Sequence, residues 1–183
     1  MKSFLNKLAI VVALMFPLPL SAQEVQPMLG EPAPSFVLNG INGKAHSLEQ
    51  LRGNYIVIHF ATTWCPFCNA EAPNLEQLYK ECREKGVEVF IIDVNEDKEL
   101  VEKSFSRFNF SFPILLDPEG KVSAHYAPDD VQPALQRHEV PIASNLIIDK
   151  EGKIRFYSLL NTTAFDAKLT QLKQKLDELI AND

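Results

Sequence analysis

Along this chain the spacing of apolar residues switches between a period of two and a helical period, and the switches mark its elements. Residues 35–38 and 44–47 read as two short strands, joined by Asn39-Gly40-Ile41-Asn42-Gly43, whose glycines and asparagines suit a turn. Residues 54–61 carry Tyr55-Ile56-Val57-Ile58-His59-Phe60, a β-prone run of the kind buried on both faces of a sheet. From Pro66 to Lys85 the pattern is helical, and Gly86 stops it. Residues 87–94 read as a second central strand, and residues 97–107 as a helix with Asp97 as its capping acid. Residues 112–116, 145–148 and 153–159 are further strands, the last two joined by the turn Asp149-Lys150-Glu151-Gly152. Residues 164–181 close the chain as an amphipathic helix, with Leu169, Leu172, Leu176 and Leu179 on one side. Strand, helix, strand first and a hairpin with a helix last define an α/β plan with a mixed sheet.

Composition sets the scale of this plan. With 183 residues, 46% of them hydrophobic and 23% charged, the chain can bury the core of a single domain. The net charge is −6 and the basic residues are scattered among acids, which leaves no electrostatic footprint for nucleic acid. At the N-terminus, Lys2 and Lys7 precede an apolar run over residues 8–20, too short for a comfortable membrane span, and Ser21-Ala22 end it. The expectation is a signal peptide over residues 1–22, a lead-in segment over 23–34 and one domain over 35–183. Leu20 fits poorly where a small residue is wanted, so an uncleaved anchor is the alternative, and membrane contact follows only in that case. Export to a periplasm or cell envelope, if the source is bacterial, would let disulfides persist.

The candidate chemistry lies between the first long strand and the helix. Disulfide exchange needs a thiolate nucleophile, accessible and with a lowered pKa, and a second thiol close enough to resolve the mixed disulfide. Cys65-Pro66-Phe67-Cys68 meets both needs at a helix start. Free N–H groups and the helix dipole favour negative charge at Cys65, and Cys68 lies one turn in. Pro66 suits the first helical position, since it has no N–H to waste there. A zinc site would need two more ligands, and the chain offers only Cys82 and four scattered histidines; a c-type haem site would need histidine where Asn69 stands. No cofactor or metal is expected. Cys68, Glu71, Leu75, Leu78 and Cys82 recur at helical intervals, which reads Cys82 as a core cysteine, with an intermolecular bridge as the alternative. It also puts a carboxylate on an apolar stripe one turn after Cys68. There Glu71 should be partly desolvated, with a raised pKa, and able to exchange a proton with Cys68, the alternative being a surface glutamate tolerated at the edge of the stripe. Pro73 removes a backbone hydrogen bond to Asn69, so a kink is expected. Trp64 and Phe67 flank the cysteines as an apolar landing surface for a partner, with core packing of Trp64 as the alternative.

Trp64-Cys65-Pro66-Phe67-Cys68 after a hydrophobic strand, with Pro73 five residues on, resembles the thioredoxin superfamily. The run Gly30-Glu31-Pro32-Ala33-Pro34-Ser35-Phe36, then Glu71, Phe112-Pro113 and the stretch from Leu146 to Ile154 narrow the resemblance to TlpA/ResA-type envelope thioredoxins. That resemblance implies a thioredoxin fold with an N-terminal β-hairpin. It also implies a thiol-disulfide oxidoreductase acting on protein thiols and disulfides, several relatives being reductants in cytochrome c maturation, with an upstream redox partner. A matching glutamate takes part in their active-site chemistry. Such proteins carry a cis-proline opposite the cysteines; here the count falls on Ala143, the nearest proline is Pro141, and Ser144-Asn145 match the polar pair that follows. Residues 127–139 form an insertion before that loop, either a surface loop or a determinant of partner choice. Two rival functions are a peroxiredoxin-type peroxidase and a non-enzymatic metal-binding thiol protein. The first would want proline where Ile58 stands, although Thr62 fits its pattern.

Overall fold

A computed structural model describes residues 28–127, 143–159 and 165–183, together with the backbone but not the side chains of residues 143 and 144. The strands are β1 (Val37–Gly40), β2 (Ala45–Ser47), β3 (Tyr55–Ala61), β4 (Val87–Val94), β5 (Ile114–Asp117), β6 (Ala143–Ile148) and β7 (Ile154–Leu159). The helices are α1 (Pro66–Cys82), α2 (Lys98–Phe105), α3 (Lys121–Tyr126) and α4 (Thr170–Ala181). The strands form one sheet in the order β2-β1-β5-β4-β3-β6-β7. β3, β4 and β5 run parallel, while β1 pairs antiparallel with β2 and β5, and β6 with β3 and β7. This is the expected α/β plan with a mixed sheet and an N-terminal hairpin.

The two central strands explain why the sheet is covered. All seven residues of β3 are buried, as the unbroken apolar run anticipates. Alternation along the strands divides the core. Val57, Ala61, Val89, Ile91 and Ile147 pack with Leu75, Leu78 and Cys82 of α1 and with Leu172 and Leu176 of α4. Ile56, Ile58, Phe60, Phe90, Ile92 and Leu146 pack with Tyr126 of α3 and with Phe36 and Leu48. Leu75 has no solvent exposure. Leu75→Ala is therefore expected to cost about 2–5 kcal/mol, measured as the shift of the urea unfolding midpoint.

Several boundaries differ from the sequence reading for identifiable reasons. The first helix ends at Cys82 and tightens into a 3-10 turn over Arg83–Lys85 before Gly86 reverses it at φ 75°. Asp97 occupies the N-cap of α2 but makes no side-chain capping bond. α4 begins at Thr170 rather than at residue 164, because Leu169 sits at φ 57° and interrupts the helix. Asp166 caps it instead, its carboxylate accepting from the Gln171 N–H and the Thr170 hydroxyl. α3 has no counterpart in the sequence reading, since six residues are too few to show a helical period; the Asp117 carboxylate fixes its start by accepting from the Ser123 N–H at 2.9 Å. The expected signal peptide, Pro141 and nearly all of the insertion over residues 127–139 lie outside the described residues. Ala143 is the first residue of β6.

Candidate active site

The chain leaves the buried strand β3 at Ala61 and enters α1 at Pro66, so the intervening residues stand where strand ends and helix N-terminus meet. Cys65 is the N-cap of α1, extended at φ −74° and ψ 111°, and Pro66 opens the helix. Cys65 and Cys68 form a disulfide with their Cα atoms 5.3 Å apart. The Cys68 N–H donates to Cys65 Sγ at 3.1 Å, so a helix N-terminal donor points at that sulfur. This is the placement that favours a thiolate once the pair is reduced.

Cys65 is less accessible here than its position in the motif suggests. In the disulfide its sulfur turns in toward Cys68, and the two residues are 6% and 5% exposed. Trp64 beside them is 67% exposed and so is not packed in the core. Phe67 is half-buried, its ring edge-on to Phe165 at 4.8 Å. Cys82 is the free, buried core cysteine the helical spacing requires, and burial pushes its thiol pKa up.

Beneath the cysteines, α1 carries Glu71 into the core at 4% exposure. Burial raises its pKa to about 7; hydrogen bonding from Asn145 opposes the rise and the negative charge of Asp166 adds to it. The sequence reading of a desolvated acid on the apolar stripe matches this placement. It does not extend to the company Glu71 keeps. Asn145 Nδ2 donates to both Glu71 oxygens at 3.3 Å, and Asn145 Oδ1 lies 3.0 Å from His59 Nδ1. Since the Asn145 amide gives its N–H groups to Glu71, its oxygen accepts, and His59 carries its proton on Nδ1. His59 Nδ1 is also 3.3 Å from Glu71 Oε2. His59 and Asn145 are register partners on β3 and β6. A polar residue in the apolar run of β3 is the available signal for His59; Asn145 shows in the sequence only through the family resemblance.

Helix α1 is tied to its surroundings by further polar contacts. The chain runs through Pro73 inside α1, and the neighbouring Asn74 Nδ2 donates to the Ala167 carbonyl at 2.9 Å. Glu76, buried on the next turn, accepts from the Ser111 N–H at 2.8 Å and hydroxyl at 2.7 Å and pairs with Lys80 at 2.9 Å. Burial alone would raise its pKa, but the Ser111 hydrogen bonds and Lys80 outweigh it and the pKa falls.

Comparison with known proteins agrees with this geometry. Residues 29–157 match the model of the AhpC/TSA family. The chain is 34% identical over 127 residues to the thiol-disulfide oxidoreductase ResA of Geobacillus thermodenitrificans, covering 69% of this chain and 67% of that one. Among solved structures it is similar to a putative protein disulfide isomerase from Bacteroides thetaiotaomicron, with 27% identity and a TM-score of 0.71 over 84% of this chain and 90% of that one. A secreted disulfide oxidoreductase from Mycobacterium tuberculosis is 26% identical, with a TM-score of 0.61 over 79% of this chain and 96% of that one.

Proposed function

The chain belongs to the AhpC/TSA family and is a thioredoxin-fold thiol-disulfide oxidoreductase, and from that premise we propose that it works as an exported reductant of protein disulfides, with Cys65 as nucleophile, Cys68 as resolving thiol and Glu71 as proton acceptor. The observation that carries this reading is the buried Glu71 carboxyl, raised to about 7, on the helix turn directly after Cys68. In the reduced enzyme the Cys65 thiolate attacks a partner disulfide, forming a mixed disulfide and expelling one partner thiolate. Cys68 gives its proton to Glu71 and attacks Cys65 Sγ, releasing the second partner thiolate and closing the Cys65–Cys68 disulfide. The partner gains two electrons, and an upstream dithiol must return them. His59 and Asn145 orient the Glu71 carboxyl, and Trp64 and Phe67 with Pro66 offer the partner an apolar seat beside the sulfurs. Pro141 and Ala143, the two candidates for the proline position of the family pattern, are the residues of this reading that would complete that seat. Export is supported by the sequence pattern of residues 1–22 and by the secreted relative of similar fold. Exported apocytochromes whose cysteines have formed a disulfide are one partner class that fits.

Redox equilibration with glutathione, together with trapping of the cellular state, tests the direction of electron flow. A reductant should have a potential nearer the about −270 mV end than the about −120 mV end of the range such proteins span, and should be found mainly reduced. A pair held mainly oxidised would sink the reductant reading. Hydrogen peroxide turnover faster than disulfide exchange would favour a peroxidase, and tight Zn(II) or Cu(I) retention without insulin reduction would favour a metal-binding role.

A further inference from the structure

Exchange through Cys65, Cys68 and Glu71 leaves a second buried acid unused. Asp93 lies near the end of β4, 1% exposed; no N–H or hydroxyl among the described residues donates to its carboxyl oxygens, and its hydrogen-bonding neighbour is a second carboxyl, that of Glu96. It has the parity of Val89 and Ile91, which places it on the α1 side of the sheet, and its register partner on β3 is Ala61, four residues before Cys65. Three residues further on, Glu96 accepts from both the N–H and the hydroxyl of Thr63, the latter at 2.6 Å. The Thr63 carbonyl accepts from Asn69 Nδ2 at 3.0 Å, and Asn69 Oδ1 accepts from Arg107 at 2.9 Å. Each polar group of Thr63 is thus held, and Thr63 leads through Trp64 directly to Cys65.

A carboxylate can accept from two donors, whereas a protonated carboxyl turns one of its oxygens into a donor. Glu96 therefore grips Thr63 best as an ion, and an ion beside it on Asp93 would oppose that. We propose that Asp93 is a positioning residue for the Cys65–Cys68 exchange: kept un-ionised, it lets the Glu96 carboxylate hold Thr63 and so fixes the approach of Cys65, and on losing its proton it loosens that hold. Burial, first, and the negative charge of Glu96, second, push the Asp93 pKa up to about 9. A hydrogen bond between the two carboxyls, which needs a proton on one of them, pushes the same way. The other ionisable groups on this side include His59 on β3, Glu71, the cysteines and Glu76 on α1, Glu76 being held by Ser111 and Lys80, Asp166 before α4, the charged residues of α2, and Arg107, which is engaged with Asn69. On β5, Asp117 has the opposite parity and is bonded to the Ser123 N–H.

The proposal rests on the exchange chemistry, but one readout does not need turnover. Trp64 is the chain's single tryptophan and adjoins Thr63. In the oxidised full chain its emission is expected to change in one step near pH 9, and Asp93→Asn, which mimics the neutral acid, should remove the step while the tyrosines continue to titrate. The ratio of Asp93→Asn to wild-type exchange rates, measured on a small disulfide after reduction, should rise about tenfold from pH 7 to pH 10, the scale of losing one hydrogen bond to a charged group. Glu96→Gln should slow exchange about tenfold at pH 7 and move the emission step to lower pH, and it carries the test if Asp93→Asn does not fold. A step that persists in Asp93→Asn, or Glu96→Gln exchanging at the wild-type rate, overturns the proposal. Either result in an enzyme that still exchanges disulfides leaves the functional reading standing, whereas a wild-type chain that exchanges none removes that reading itself.

Discussion

Cys65→Ser is expected to lower the rate of disulfide exchange by at least about 10³-fold, the scale of removing a catalytic nucleophile. Nothing else in the described structure can take its place. Cys68 lies inside the first turn of α1, and Cys82 is buried at the far end of that helix with its thiol pKa raised by burial. Cys68→Ser should fail differently. Cys65 keeps its helix N-terminal setting and attacks a partner disulfide, but no thiol then resolves the product, so the partner stays covalently attached. Insulin reduction gives the rates, and non-reducing electrophoresis with mass spectrometry identifies the trapped adducts. Adducts in Cys65→Ser and none in Cys68→Ser would reverse the assigned roles. Full activity in both variants would remove the motif from the chemistry.

The sequence disclosed this site in proportion to how local each signal is. A Cys-x-x-Cys between an apolar run and a helical period is contained in a few residues, and Glu71 declared itself because an acid interrupted a stripe ending at Cys82. The partners of Glu71 come from other strands. His59 and Asn145 are 86 residues apart and meet only because β3 and β6 pair in a definite register. Thr63 and Glu96 are likewise joined across the ends of β3 and β4. Pairing register cannot be read from periodicity in one strand. The same limit explains the elements. β4 was legible from residue 87 to 94 because Val89-Phe90-Ile91-Ile92 form an unbroken β-prone run at its centre, whereas the starts of α3 and α4 are fixed by side-chain hydrogen bonds from Asp117 and Asp166, four to six residues away, which leave no mark on the hydropathy pattern.

Glu71→Gln should separate the two effects of burying a carboxyl beneath the disulfide. In the folded chain Glu71 binds its proton with a pKa of about 7, against 4.5 for the unperturbed group. Between those values the folded chain holds a proton the unfolded chain has released, so the contribution of Glu71 to stability is greatest below pH 4.5. It declines as pH rises to 7 and stays low above. The difference of roughly two and a half pKa units corresponds to an upper bound of roughly 3 kcal/mol. The side-chain amide of the Glu71→Gln variant has no acidic proton to lose, and its oxygen can still accept from Asn145. Urea unfolding of the two oxidised proteins should therefore give similar stabilities at pH 4 and a gap that opens in favour of Glu71→Gln toward pH 8. Other titrating groups, Asp93 among them, are common to both proteins and largely cancel in the difference. The cost of the substitution should appear in the chemistry. Without a proton acceptor near Cys68, exchange should slow by about 10²-fold, the lower end of general acid–base contributions. The wild-type pH dependence centred near 7 should vanish with it. A variant that gains stability at pH 8 but exchanges at the wild-type rate would make Glu71 a buried structural acid. Loss of rate together with loss of the pH limb ties its proton to the resolving step.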